Sequence, residues 1–327
     1  MSSSLIAKTH NKKKKSAWRN KLVSSKISAL KKVTKSLIKI NKLTHEDYMK
    51  RFSLAAEKHN FSSVDLGSSR KVFYLGNGAI RLALISGIHG EERAGPISLL
   101  KFLERTKAGK LIPSNVSLLI SPLLGFDAWD KQSRENEEIN LNEAWSKKAA
   151  PDYIHQLKIE LENFKPDLFF DFHEDSTIED EEPYLFRRKA NKNIIFELQD
   201  ALDVCRKKGI WRKSVEYPGS SESFAHSIGC PETTTVETPQ TQPLRNRVGF
   251  DLAILDWVMK KCAAQETKYK SLHAFWYSNE SEDSENTQMN ITKIRYNTRK
   301  TTEEQAIDRI INIMQKKGIE DYSIFEY

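Results

Sequence analysis

A histidine and a glutamate three residues apart lie in a glycine-rich segment that follows an apolar stretch. Residues 80–86 are apolar enough to form a buried strand, and the chain then reads GIHGEE, which contains His89 and Glu92. Imidazole nitrogen and carboxylate oxygen both suit Zn²⁺, and ligand sites collect beyond the carboxyl ends of strands in open α/β sheets. The pair predicts part of a metal site, although an HxxE spacing alone has little specificity.

Two further stretches end abruptly in residues that could complete such a site. The apolar run 167–172 is followed by His173, and the run TTVETP contains Glu237. Catalytic zinc keeps three protein ligands and an open position for water, whose pKa it lowers towards neutrality. A carboxylate must still accept the proton of that water. We therefore predict one Zn²⁺ per chain, held by His89, Glu92 and His173, with Glu237 as general base.

The polar loop between the first two metal-ligand segments supplies further candidates. Arg134 could stabilise the oxyanion of a tetrahedral intermediate. Beyond that loop and after His173, Tyr184 could donate a phenol hydrogen bond to a substrate, although an aromatic residue in this context more often serves packing. Each histidine singly could also be structural, and Glu92 could be a solvated acid at a helix start, where the dipole favours it.

The elements that must position these residues alternate between strand and helix patterns. Helical periodicity over 94–106 and 151–164 separates strands predicted at 80–86, 116–121 and 167–172. Such alternation predicts a three-layer α/β/α domain with a mixed, mostly parallel sheet. A Gly-Asn-Gly sequence predicts a hairpin that joins strand 72–74 to strand 80–86. Further predictions are helices at 44–59, 193–207 and 251–262, strands at 233–237 and 290–296, and a helix that begins near Thr301.

With its motifs in this order, the sequence resembles the zinc carboxypeptidase superfamily over roughly residues 75–260. That superfamily includes carboxypeptidase A-like enzymes, murein-peptide amidases and the succinylglutamate desuccinylase–aspartoacylase branch. The resemblance implies a zinc hydrolase that cleaves an amide bond with metal-activated water. It implies that His89, Glu92 and His173 are the metal ligands and that Glu237 is the general base. It also implies that Arg134 and Asn142 contact the substrate.

One departure from the family pattern concerns specificity. The family commonly has Asp-Leu-Asn-Arg where this chain reads NLNE, so Glu143 takes the place of an arginine. A glutamate there would repel a terminal carboxylate and attract an amine or guanidinium group, unless another cation such as Arg187, Arg188 or Arg245 takes the place of the missing arginine. We expect a metallocarboxypeptidase-like peptidase with atypical terminal specificity. An N-acyl-amino-acid deacylase and a non-catalytic binding protein on the same fold are the alternatives.

The charge of the chain is concentrated in its first 45 residues. The formal net charge is +8, and residues 1–45 contain thirteen Lys and Arg and no acidic residue, which leaves about −5 for the rest. A mildly acidic body argues against nucleic acid as the substrate of residues 46–327. Three widely spaced cysteines without a CxxC pair argue against a disulfide framework and a thiolate metal site. We expect a cytoplasmic protein, with an N-terminal targeting segment as an open alternative.

Domain organisation follows the same composition. We predict a basic, partly disordered arm at 1–45 with an amphipathic helix within 22–43, a catalytic domain at 46–264, and a polar linker with a small α/β appendage at 265–327. The arm could contact an anionic membrane, RNA or a protein partner. An ordinary solvated helix that packs on the body is an equal alternative. Oligomeric state does not follow from the sequence.

Overall fold

The computed structural model describes ten segments of the chain and one isolated residue. They are residues 34–107, 110–147, 149–176, 183–189, 210–213, 219–265, 269–279, 287–297, 303–317, 319 and 323–326.

A mixed eight-stranded sheet forms the centre of the molecule. Its strand order is β1-β2-β4-β3-β5-β8-β6-β7, and β4, β3, β5 and β8 are parallel. Strand β2 runs antiparallel to β4, and β6 antiparallel to β8, so the parallel core is bordered by reversed strands. The strands of this sheet are β1 (Ser62–Gly67), β2 (Arg70–Leu75), β3 (Ile80–Ser86), β4 (Val116–Ser121), β5 (Leu168–Asp175), β6 (Tyr184–Lys189), β7 (Ile210–Lys213) and β8 (Glu232–Pro239).

Helices cover both faces of this sheet and bury separate apolar clusters. On β5, Phe170 and Phe172 face the cluster beneath α1, α2 and α6, whereas Phe169 faces the cluster beneath α4. This alternation is the period-two pattern of a strand buried on both faces. The predicted three-layer α/β/α architecture is confirmed. The helices are α1 (His45–Glu57), α2 (Ala94–Arg105), α3 (Phe126–Lys131), a 3₁₀ helix (Leu141–Ser146), α4 (Asp152–Phe164), α5 (Ser221–Ser227), α6 (Leu244–Gln265) and α7 (Glu303–Lys316).

The predicted hairpin between the second and third strands is wrong. Strand β4 lies between β2 and β3, and β2 instead forms a hairpin with β1. The glycines that suggested a turn serve close packing against the start of β4. A Cβ atom on Gly76 would lie 2.5 Å from the Val116 carbonyl oxygen, and one on Gly78 would lie 2.0 Å from the Asn115 carbonyl carbon. Only glycine fits such approaches.

The two ends of the described chain add smaller elements. Residues 34–40 are helical, and α1 then begins after Thr44, whose side chain accepts a hydrogen bond from the Asp47 N–H group. At the other end, β9 (Tyr269–Asn279), β10 (Thr287–Asn297) and β11 (Ser323–Glu326) form a separate antiparallel sheet with α7 packed on it.

One sequence prediction for the C-terminal part is wrong, and another falls outside the described residues. Strand β9 occupies part of the segment that we interpreted as a polar linker, because its aromatic residues, three of them consecutive at 275–277, favour a strand despite the polar composition around them. The predicted helix at 193–207 lies outside the described residues. Within the part of the chain that the structure describes, no helix is long and apolar enough to cross a membrane.

Candidate metal centre and active site

The loop after β3 is held in position by two glycines. Gly87 has a φ of 67°, in the left-handed region, and its carbonyl oxygen accepts hydrogen bonds from the N–H groups of Leu124 and Gly125. Gly90 packs so closely that a Cβ atom there would lie 1.9 Å from the backbone of Ala128. The loop is therefore pressed against the segment that leads into α3. This contact fixes the direction in which His89 projects.

The three predicted metal ligands converge at the carboxyl ends of β3 and β5. His89 Nδ1 lies 2.6 Å from one carboxylate oxygen of Glu92, and His173 Nδ1 lies 2.8 Å from the other. All three side chains are buried, and one potential ligand atom from each lies within 4.8 Å of the others. The structure thus brings together residues 81 positions apart in the chain.

Each histidine has an oxygen acceptor behind it. His89 Nε2 lies 3.1 Å from Asn140 Oδ1, and His173 Nε2 lies 3.0 Å from Asp171 Oδ2. The Asn140 oxygen also accepts from the N–H group of Asn142, which fixes its amide orientation. Both Nε2 atoms are therefore placed to donate, and in the neutral tautomers both Nδ1 atoms present lone pairs beside the Glu92 oxygens.

Lone pairs facing a carboxylate repel one another unless a proton or a cation lies among them. Metal-binding histidines typically donate a hydrogen bond from their second ring nitrogen to a carboxylate or carbonyl oxygen, and both histidines here are placed to do so. Two nitrogens and a carboxylate also suit zinc, with a position left for water. The residues of this cluster therefore fit a divalent cation, and the alternative is a pair of protonated imidazoles.

The predicted base lies on the strand next to His173. Glu237 and His173 are direct register partners on β8 and β5, so their side chains leave the same face of the sheet. Burial raises the pKa of Glu237 to about 8. The positive charge of His173 would lower this pKa, but the negative charges of Glu92, Asp175 and Asp171 offset its effect. A positive charge at the three-residue cluster would oppose this rise.

Arg134 and the 3₁₀ segment border the same cluster. Arg134 Nη1 lies 3.4 Å from a Glu92 oxygen and its side chain is half exposed. Asn142 is half-buried, and its side-chain oxygen has no hydrogen-bond partner among the described residues. Glu143 is 61 % exposed and accepts from the Asn140 amide at 3.0 Å. Lys147 lies 3.4 Å from the same carboxylate, an exposed pair that contributes little.

Tyr184 lies beside the predicted base but its hydroxyl group is engaged. It is the register partner of Glu237 across β6 and β8 and is buried. Its hydroxyl donates to Asp175 Oδ2 at 2.6 Å. Donation to a substrate would therefore require that hydrogen bond to break.

Sequence reasoning missed a buried carboxylate that ties the ligand segments together. Glu174 follows His173 but points to the opposite face of the sheet, where it accepts from the Ala94 N–H group at 2.8 Å and from the Arg247 guanidinium. Ala94 begins α2, two residues after Glu92. Burial raises the pKa of Glu174 to about 7, against the charge of Arg247. Strict alternation along β5 could have indicated this orientation.

No family model matches the chain, and no curated protein matches it either. Solved structures do match. A candidate metallopeptidase from Shewanella denitrificans has a TM-score of 0.58 at 19 % identity, over 67 % of this chain and 90 % of that chain. A metallo-carboxypeptidase from Burkholderia cenocepacia has a TM-score of 0.56 at 16 % identity, over 68 % of this chain and 70 % of that chain. Carboxypeptidase A from Helicoverpa armigera has a TM-score of 0.52 at 14 % identity, over 69 % of this chain and 75 % of that chain.

Identities this low establish the architecture rather than the chemistry. The fold of the main body is zinc carboxypeptidase-like. The predicted fold is thereby confirmed, and the three ligand candidates lie together at the carboxyl edge of its sheet.

Proposed function

We propose that this chain is a zinc-dependent hydrolase that cleaves an amide bond. The observation that carries the proposal is the convergence of His89, Glu92 and His173 beside Glu237 at the carboxyl edge of the central sheet. Zinc at this cluster would supply Lewis-acid polarisation and a more acidic water. The other requirements of hydrolysis fall to side chains of this protein.

Glu237 is the group that moves protons in this proposal. Its carboxylate takes the proton of the attacking water and later gives it to the leaving amine. Arg134 is half exposed at the edge of the cluster, where its guanidinium can donate to the oxyanion that forms from the carbonyl group. Asn142 borders the cluster, but its side-chain oxygen is buried without a hydrogen-bond partner among the described residues, so the side chain must turn before it can accept from a substrate N–H group.

The described site favours a peptidase with atypical terminal specificity over a deacylase of small acyl-amino acids. Glu91 pairs with Arg134, Glu143 accepts from Asn140, and Asp175 lies close enough to raise the pKa of Glu237. Among the described residues, Arg134 is the cation that contacts the cluster. Such surroundings repel the carboxylates of N-acyl amino acids and favour a substrate that carries an amine or guanidinium group. The N-acyl-amino-acid deacylase and the non-catalytic binding protein are the competing proposals.

Metal content tests the first step of the proposal. Elemental analysis of the purified protein should give about one zinc per chain, and His89→Ala and His173→Ala should each lose it. His155→Ala is the matched control, because His155 lies on α4, away from the cluster. Absence of zinc after reconstitution would favour the binding-protein alternative.

Turnover tests the second step. Glu237→Gln should retain zinc and lose about 10²- to 10⁴-fold in kcat, the range for removal of a general acid–base group. Short peptides with cationic ends should be hydrolysed faster than N-acyl amino acids. The opposite order of rates would favour the deacylase.

A further inference from the structure

The helical segment 34–40 uses its apolar side inside the protein. Leu37 and Ile40 are buried in the core cluster beneath α1, α2 and α6. This part of the predicted amphipathic stripe is therefore covered by protein and is not available to insert into a bilayer. Lys35 and Lys39, one turn apart, remain exposed on the other side. The segment thus presents a basic face to solvent.

A cavity of about 390 Å³ lies against this face, and its lining is Lys35, Ser36, Lys39 and Arg51. No acidic side chain lines it. Arg51 forms an ion pair with Glu104, in which Arg51 Nη2 lies 2.6 Å from Glu104 Oε1. Among the described residues, no acidic group pairs with Lys35 or Lys39, so these ammonium groups are free to meet an external anion.

The cationic lining continues on both sides of this cavity. Arg51 also lines a neighbouring cavity with Lys58, Leu54 and its ion-pair partner Glu104, and Ser36 lines another with Lys101, Arg105 and Arg245. We define the N-terminal basic surface as Lys35, Lys39, Arg51, Lys58, Arg105 and Arg245. Residues 1–33 add ten Lys and Arg and no acidic residue, so the charge of the preceding chain has the same sign.

Exposed apolar side chains accompany the cations. Ile38 is 50 % exposed within the helical segment, and Leu54 is 52 % exposed one turn from Arg51 on α1. Apolar residues among lysines are typical of proteins that rest on anionic lipid. Proteins that bind single-stranded nucleic acid combine a basic groove with aromatic side chains on which the bases stack. Here no Phe, Tyr or Trp lines the three cavities, and Arg51 and Arg105 are paired with Glu104 and Asp256.

We propose that the N-terminal basic surface binds the anionic face of a lipid membrane. Lys35 and Lys39 contact headgroup phosphates, and Ile38 and Leu54 enter the headgroup region. Binding is electrostatic and peripheral, because the apolar stripe of the segment is buried in the protein. The proposal does not depend on hydrolytic activity.

Vesicle sedimentation with the full chain tests this surface. The protein should bind vesicles that contain phosphatidylserine and not pure phosphatidylcholine vesicles, and added salt should weaken the binding. Each basic residue near an anionic bilayer contributes about a factor of five, so Lys35→Gln/Lys39→Gln should lower partitioning about thirtyfold. The matched control is Lys165→Gln/Lys316→Gln, which removes one exposed lysine just after α4 and one on α7 and should have little effect.

A second pair of variants separates lipid from polynucleotide. Ile38→Ser/Leu54→Ser should lower vesicle partitioning about tenfold through lost apolar burial, without changing retention on an RNA oligomer. Both residues are half exposed, so thermal unfolding should show that the fold is kept. Equal vesicle binding by the lysine variant and wild type would overturn the proposal. Tighter binding to RNA than to vesicles, unaffected by Ile38 and Leu54, would overturn the lipid assignment.

Discussion

Asp171→Asn tests whether the carboxylate behind His173 contributes to metal affinity. Asp171 is buried, its Oδ2 atom lies 3.0 Å from His173 Nε2, and the Ser221 hydroxyl donates to the same oxygen. Asparagine keeps the shape and an acceptor but removes the negative charge. A hydrogen bond to a charged acceptor contributes roughly 1.5–3 kcal/mol, against about 0.5–1.5 kcal/mol for a neutral one. The difference of about 1.4 kcal/mol corresponds to about a tenfold weaker Kd for zinc.

Competition with a fluorescent zinc chelator would measure this change in Kd. Asn140→Asp is the matched variant, because it places a carboxylate behind His89 in the same way, and it should tighten zinc binding by up to about tenfold. Thermal unfolding of the metal-free proteins separates a loss of folding from a loss of affinity. An unchanged Kd in Asp171→Asn, with folding intact, would refute the assignment of these oxygen acceptors as partners of metal-binding histidines.

Three further predictions follow from other contacts. Glu143→Arg should raise hydrolysis of free-carboxylate peptides relative to amine-bearing ones by about tenfold, whereas Lys147→Ala, which breaks the exposed pair without adding a cation, should not. Gly90→Ala should destabilise the fold by about 3 kcal/mol or more in chemical denaturation, because its Cβ atom would overlap the Ala128 backbone. Burial raises the pKa of Asp251 above its value in the unfolded chain. As pH rises above about 4, the unfolded chain releases the Asp251 proton while the folded protein keeps it, so the free energy of unfolding falls. Asp251→Asn should therefore raise Tm more at pH 7 than at pH 5.

The sequence was sufficient to predict the elements that carry the ligand candidates. The apolar patterns of β3, β4 and β5 are strong, so these strands were located to within a few residues. Pairing between strands was harder. The Gly-Asn-Gly sequence is typical of a turn, yet it serves the close approach of Gly76 and Gly78 to β4. Local patterns do not distinguish these two uses of glycine.

The partners of the ligands were also missed, although one of them had a signal. Asp171 stands two positions before His173 on a strand, so period-two alternation places both side chains on one face. Asn140 carried no comparable signal, because a 51-residue separation from His89 is bridged only by the fold. Two residues of a site can be predicted to lie close together when their spacing within one strand or helix places them on the same face. When only the tertiary fold brings them together, the sequence pattern does not predict the contact.

Strand β5 explains how the fold brings the three ligand candidates together. Its residues alternate between the two faces: Asp171 and His173 on the site face, and Glu174 on the face that packs against α2 and α6. The Glu174 carboxylate accepts from the first N–H group of α2, directly after the loop that carries the other two ligand candidates. One strand therefore positions His173, its hydrogen-bond partner and the loop that carries His89 and Glu92. Because these contacts are buried, the packing of the sheet holds the three ligand candidates together.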